Sequence, residues 1–208
     1  MYFALVCVYE ANIDFLKLVN CREWYMKKLI IVTGDIAAGK TTFSHILAKR
    51  YGIAAFQKDS IKEVLGNTIG FSDRNENKKL STAAVSMLYY IFGALSESGS
   101  SFVVEANFHT EEQKKLINLA QTYQYAVLTL ILRGNADILY ERYVHRMNEE
   151  NRHPVHLSTT MHVKEDFMKV ADFIRNETYE GDSLVIDATD FSYQTDEDML
   201  KRLDSFMQ

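Results

Sequence analysis

Apolar and polar positions along the 208-residue chain follow two periods. Short, nearly continuous apolar runs at residues 29–32, 53–57, 101–105, 126–132 and 183–187 have the length and β-branched content of strands buried on both faces. Helical spacing fills the gaps. Residues 40–51 form a helix with Phe43, Ile46 and Leu47 inward and Gly52 as its C-cap, and Ile61, Val64 and Leu65 mark a short second helix. Leu80, Ala84, Met87, Leu88, Ile91 and Leu95 recur along a long helix ended by Gly99. A capping-box pattern, Thr110-Glu111-Glu112-Gln113, opens a helix reaching about Tyr123. Further helices are predicted over residues 136–147, 161–176 and 195–206, the last capped by Thr195 with Asp198. Residues 66–77 read as a polar loop, and residues 148–158, with the only proline, Pro154, as a mobile flap. Strands alternating with helices predict an α/β fold, a five-stranded parallel sheet with helices on both faces and a small lid.

Charge and composition narrow the partners. With 23 basic and 28 acidic residues the net charge is −5 and no long basic run occurs, which disfavours nucleic acid. Cys7 and Cys21 form no CxxC pair and fit a reduced, cytoplasmic setting. The apolar run after Met1 is too short to span a bilayer, has no basic segment before it, and is interrupted by Glu10 and Asp14. Residues 1–25 are expected to be an accessory segment or a mis-assigned start, with Met26-Lys27-Lys28 the natural beginning of a domain over 26–208.

The strongest chemical signal follows the first strand. Gly34-Asp35-Ile36-Ala37-Ala38-Gly39-Lys40-Thr41-Thr42 contains Gly-x-x-x-x-Gly-Lys-Thr between an apolar strand and a helix, the pattern of a phosphate-binding loop. The glycines let backbone N–H groups face phosphate oxygens, and the helix adds its positive end. Lys40 reaches the β/γ-phosphates, and the Thr41 hydroxyl is placed to ligate Mg²⁺. Asp35 is out of character there, an acid where a polyanion should sit, harmless only if its side chain points outward.

Phosphoryl transfer also needs an acid on the magnesium side, a group that orients or deprotonates the acceptor hydroxyl, and cations over the transferring group. Asp59, at the carboxyl end of the second strand, is the candidate base; the alternative is an N-cap for the next helix. Glu105 ends the third strand, where it would serve metal or substrate, and Asn107 and His109 follow on the substrate side. Arg142 and Arg146, one turn apart, and Arg152 in the flap form a cationic set that could place one guanidinium near the base and another on the phosphates. The ordinary alternative is a solvated helix face paired with Glu141 and Glu149. The loop of Asp187, Ala188 and Thr189 is a candidate adenine contact.

With these residues in view, the chain resembles, from about Lys27 to its end, the P-loop small-molecule kinases with an adenylate-kinase-like core. The phosphate loop, Lys58-Asp59-Ser60, the run Val103-Val104-Glu105-Ala106-Asn107-Phe108-His109 and the arginines are most similar to kinases allied to zeta toxins, chloramphenicol phosphotransferase and polynucleotide 5′-kinase domains. The resemblance implies ATP and Mg²⁺ as cofactors, Asp59 as base, Lys40 on the phosphates and Arg146 closing over the transferring group. It implies transfer to a hydroxyl of a small-molecule acceptor. The alternatives are a polynucleotide or nucleotide-sugar kinase, and a nucleotide-dependent switch without transfer. Asp35, Ala37 and Ala38 depart from the glycine, serine or proline commoner in these relatives.

Overall fold

The computed structural model describes residues 26–149, 152–157, 161 and 163–208. Residues 1–25, with both cysteines, and part of the 148–158 flap lie outside the described residues. The described chain runs β1 (Lys28–Gly34), α1 (Lys40–Tyr51), β2 (Ala54–Gln57), α2 (Lys58–Ile69), α3 (Arg74–Ser98), β3 (Phe102–Glu105), α4 (Thr110–Thr122), β4 (Ala126–Arg133), α5 (Ala136–Glu149), α6 (Pro154–Leu157), α7 (Lys164–Arg175), β5 (Ser183–Asp187), a 3₁₀ turn (Ser192–Thr195) and α8 (Glu197–Met207). All five strands are parallel, in the order β2-β3-β1-β4-β5. The α/β sheet expected from the alternation is therefore present.

Strand β1 lies at the centre because both its faces can be buried. Ile30 and Val32 join Phe43, Leu47, Leu130, Leu132 and Phe167 on one side. Leu29 and Ile31 join Leu88, Phe92, Phe102, Val104 and Leu116 on the other. Each such side chain contributes about 1.5–3 kcal/mol through removal from water. Register does the functional positioning. Val32 of β1 pairs with Glu105 of β3, and Gln57 of β2 pairs with the same Glu105. The ends of three strands thus lie side by side where the connections leave β1 and β3 in opposite directions, the crevice in which open parallel sheets bind ligands.

Several local expectations require correction. Residues 66–77 are mostly helical: α2 runs on to Ile69, Gly70 ends it at φ +77, and Asp73 caps α3 by accepting the N–H groups of Asn75 and Glu76. Polar residues on the outer face hid the helical period. Gly66 stays inside the helix, despite a usual cost of about 1 kcal/mol against alanine, because a Cβ there would come 2.3 Å from Val155 Cγ1. Met87 is exposed while Val85 and Phe92 are buried. α4 begins after His109, whose N–H donates to Glu112. α8 is capped by Asp196, with Thr195 in the preceding 3₁₀ turn.

The flap needs the largest correction, because its described part is docked. Val155 is fully buried, and its carbonyl accepts bonds from Lys62 Nζ (3.2 Å) and Asn77 Nδ2 (2.8 Å). His153 bonds Asn67 at 2.9 Å and His156 bonds Glu63 at 2.8 Å, so α6 is fastened along α2. Gly66→Ala is expected to raise amide exchange at Val155 and His156 at least tenfold, because the added methyl takes the place of Val155. Unchanged exchange would show that the docking does not depend on this contact.

Candidate active site

The loop between β1 and α1 is held from behind. Asp35 N–H donates to Leu132 O at 2.8 Å, continuing the β1–β4 ladder. A Cβ on Gly34 would lie 2.1 Å from Leu132 O, and one on Gly39 would lie 2.7 Å from the Tyr193 hydroxyl. Both glycines are therefore required by neighbouring protein atoms. Ala37 also adopts a left-handed conformation, with φ 61. Gly39 is the N-cap of α1 and supplies no side-chain acceptor, which leaves the first-turn N–H groups for an anion.

Asp35 turns away from the loop mouth. Its side chain is almost completely buried, receives a 2.5 Å salt bridge from Arg175 at the end of α7, and accepts the Gly134 N–H at 3.1 Å. The acid that looked out of place fixes the loop to the β4–α5 turn and to α7, and only its backbone belongs to the phosphate cradle. Arg175 was not foreseen, because nothing local links it to a residue 140 positions earlier.

A cavity of about 290 Å³ opens over the loop. Ile36, Ala37, Gly39, Lys40, Thr41 and Thr42 form its floor. Asp59, Glu105 and Asn107 approach from the strand ends, and Arg146 and Arg152 from the lid side. Gly34, Asp35 and Ala38 do not line it, and Ala38 is buried beneath, where its carbonyl accepts the Tyr193 hydroxyl.

Charge is concentrated at the cavity floor. Lys40 Nζ donates to the carbonyls of Gly34 (3.1 Å) and Asp35 (2.6 Å). Burial lowers its pKa, with Glu105, Asp59 and Asp35 opposing the shift. Thr41 Oγ1 donates to Glu105 Oε2 at 3.0 Å. Burial raises the Glu105 pKa, against the pull of Lys40. For Asp59 burial acts upward, but Lys58, His156, Lys40 and Lys62 together outweigh it and hold the carboxyl below its usual range. Asp59 lies in the first turn of α2 after the N-cap Gln57, so it is not the cap itself. Its side chain is 55% exposed, facing the cleft. The Thr41 hydroxyl and the Glu105 carboxylate are adjacent hard oxygen donors, a set that fits Mg²⁺. No cluster of three or more metal-ligating side chains occurs among the described residues.

Asn107 is held at the cavity edge by its neighbours. Ala106 N–H donates to Val32 O at 3.2 Å, and Phe108, buried, donates its N–H to Thr33 Oγ1 at 3.4 Å. The buried Asn107 Oδ1 has no partner among the described residues. His109 is not brought into the cavity. It points out at the start of α4, pairs with Glu177 at 2.7 Å and packs edge-on to Phe173. Arg142 lies outside the cavity too. Its guanidinium donates to the carbonyls of Ala188 (2.9 Å) and Thr189 (2.5 Å) and lies 4.2 Å from the Phe191 ring centre. It thus joins α5 to the loop after β5. Lys58, Lys62, Ser81 and His156 line the cavity without having been singled out as site residues from the sequence. The one available signal for Lys62 was its place three residues after Asp59, on the same side of α2.

A buried strand leading into a glycine-lysine-threonine loop, a parallel 2-3-1-4-5 sheet and acids at the neighbouring strand ends define the P-loop kinase fold. The chain belongs to an AAA domain family, AAA_33, whose model matches residues 29–170, from β1 through both cavity acids and into α7. Among solved structures, the chain is similar to a "putative kinase" from Chloroflexus aurantiacus j-10-fl, with 28% identity, a TM-score of 0.75, and coverage of 88% of this chain and 99% of that one. A sugar kinase from Janibacter sp. HTCC2649 is 17% identical with a TM-score of 0.56, covering 86% and 95%. Kti12 of Chaetomium thermophilum, in complex with ADP-AlF3, is 16% identical with a TM-score of 0.56, covering 85% and 97%. At that identity the last two show shared fold alone. No curated protein matches the sequence. No helix among the described residues is long and apolar enough to cross a membrane.

The raised pKa of Glu105 has a consequence for stability. The stability tied to its protonated form is fully present below the ordinary value of 4.5 and is lost as pH rises through the raised folded value. Glu105→Gln removes that titration. Without ligand, the variant should gain on the native protein in urea unfolding across the pH window that starts at 4.5 and runs up through the raised value. A flat difference across that window would show that Glu105 titrates normally.

Proposed function

We propose that the protein is an ATP- and Mg²⁺-dependent kinase that transfers the γ-phosphoryl group to a hydroxyl of a small-molecule acceptor. The convergence of Lys40, Asp59, Glu105 and Arg146 on one cavity carries this reading. A nucleotide switch needs the loop and a metal-side acid, but not a carboxylate across the cleft from them.

Lys40 and the first-turn N–H groups of α1 bind the β- and γ-phosphates, with Lys40 exchanging its two carbonyl partners for phosphate oxygens. Arg146 balances charge on the transferring group. Thr41 and Glu105 would hold Mg²⁺, which supplies charge neutralisation between the phosphates. Asp59 accepts a hydrogen bond from the acceptor hydroxyl and aims its oxygen at phosphorus. As the new O–P bond forms and the bond to the ADP oxygen breaks, the hydroxyl proton passes to Asp59. Its lowered pKa suits a late proton transfer, since a loose transition state demands little basicity early. Asn107 and Arg152 contact the acceptor. On the other side, Arg142, Phe191 and the Ala188–Thr189 backbone border the nucleotide base.

Lys40→Ala is expected to weaken ATP binding at least a hundredfold by calorimetry. Asp59→Asn should bind ATP within a few-fold of the native protein while losing acceptor-dependent ADP release by a factor of at least 10². Native-like transfer by Asp59→Asn would overturn the base assignment, and full ATP binding by Lys40→Ala would overturn the nucleotide site.

A further inference from the structure

Lysine and arginine side chains outnumber carboxylates among the described residues around the cavity. Among the described residues five lysine and arginine side chains line it, Lys40, Lys58, Lys62, Arg146 and Arg152, against the two carboxylates Asp59 and Glu105. This excess stands inside a chain whose net charge is −5. A bound Mg²⁺ would cancel part of a nucleotide's own charge, with Lys40 and Arg146 placed to meet the rest. Lys58 and Lys62 lie on α2, beside Asp59 and away from the loop.

Lys62 is the informative residue. It is 5% exposed, and among the described residues its ammonium hydrogen-bonds two neutral oxygens, Asn77 Oδ1 at 2.7 Å and Val155 O at 3.2 Å, with Asp59 acting on it only through its field. An ammonium has three donors, so one is left over at the cavity wall. Burying a cation with no carboxylate in hydrogen-bond reach among the described residues is expensive, and an anionic ligand would offset that cost. Ser81, one turn after Asn77 on α3, also lines the wall, and the orphaned Asn107 Oδ1 supplies an acceptor for a further ligand hydroxyl. α2 therefore presents Asp59 to a hydroxyl and, one turn on, Lys62 to an anion.

We propose that the acceptor carries an oxyanion, a carboxylate or a phosphate, in addition to the hydroxyl that is phosphorylated, and that Lys62, seated on Asn77 and the Val155 carbonyl, binds it. The inference rests on the kinase reading for the hydroxyl but not for the anion site. Because the Val155 carbonyl is one of the two seats of Lys62, the docked lid segment belongs to the same subsite.

Binding and turnover can be read separately. With a non-hydrolysable ATP analogue and Mg²⁺ bound, calorimetry compares glycerate and glycerol 3-phosphate with glycerol, and gluconate and glucitol 6-phosphate with glucitol. At least one anionic probe should bind at least tenfold more tightly than its neutral parent, and the better of carboxylate and phosphate identifies the oxyanion. Lys62→Met should abolish that preference while leaving the neutral probes unchanged, and Lys62→Arg should restore it to within a few-fold. Equal affinity for anionic and neutral probes, no binding by any anionic probe, or a preference that survives Lys62→Met would each overturn the anion site. So would loss of all probes in both variants, which marks Lys62 as structural only. An anionic probe that binds through Lys62 but stimulates no ADP release from ATP upholds the anion site and refutes the kinase reading instead.

Discussion

Everything at the mouth of this sheet depends on keeping one ammonium group charged in a nearly dry place. Lys40 is buried at the foot of the phosphate loop, where desolvation works against its charge. Two loop carbonyls and the fields of Glu105, Asp59 and Asp35 compensate. The three carboxylates come from three places, the end of β3, the first turn of α2 and the loop after β1, and the parallel register of β1, β2 and β3 sets their supporting strand ends side by side. The charge balance is pre-set before any ligand arrives, which is what electrostatic catalysis of phosphoryl transfer requires. Its cost appears in the raised pKa of Glu105.

The rigidity behind the loop is equally specific. Asp35 and Arg175 tie the loop to the end of α7, while Tyr193 reaches from the turn after β5 to the Ala38 carbonyl. Arg142 fastens α5 to the Ala188 and Thr189 carbonyls. On the opposite side α6 is docked on α2 through Val155, over a helix position where only glycine gives room. The cavity is thus bounded by the fixed phosphate-loop side and a side built from α2, α3 and the lid.

The features legible in the sequence were those whose physics is local. The spacing of Gly34, Gly39, Lys40 and Thr41 specifies a loop wherever a buried strand precedes it, and strand ends in a parallel sheet put Asp59 and Glu105 at the crevice. Illegible features depended on distant contacts. Asp35 looked like a misplaced acid until Arg175 supplied its partner, and Gly66 stood at the start of an expected polar loop until Val155 accounted for its place inside a helix. Lys62 offered only its spacing from Asp59 on α2, because its burial arises from the packing of α2, α3 and α6. His109 follows Glu105 closely enough to suggest the same site, but the start of α4 turns it outward toward Glu177. Arg142 and Arg146 share a helix face by spacing, yet Arg142 is fastened to the loop after β5 while Arg146 lines the cavity.

The central claim is that the cavity moves phosphorus from a nucleotide to an acceptor oxygen and does not merely release it. Phosphorus-31 magnetic resonance of the protein with ATP, Mg²⁺ and a mixture of hydroxyl acceptors tests this directly. A new phosphate monoester resonance is expected to grow in step with ADP, with little inorganic phosphate. ADP accompanied only by inorganic phosphate, at a rate no acceptor alters, would contradict it.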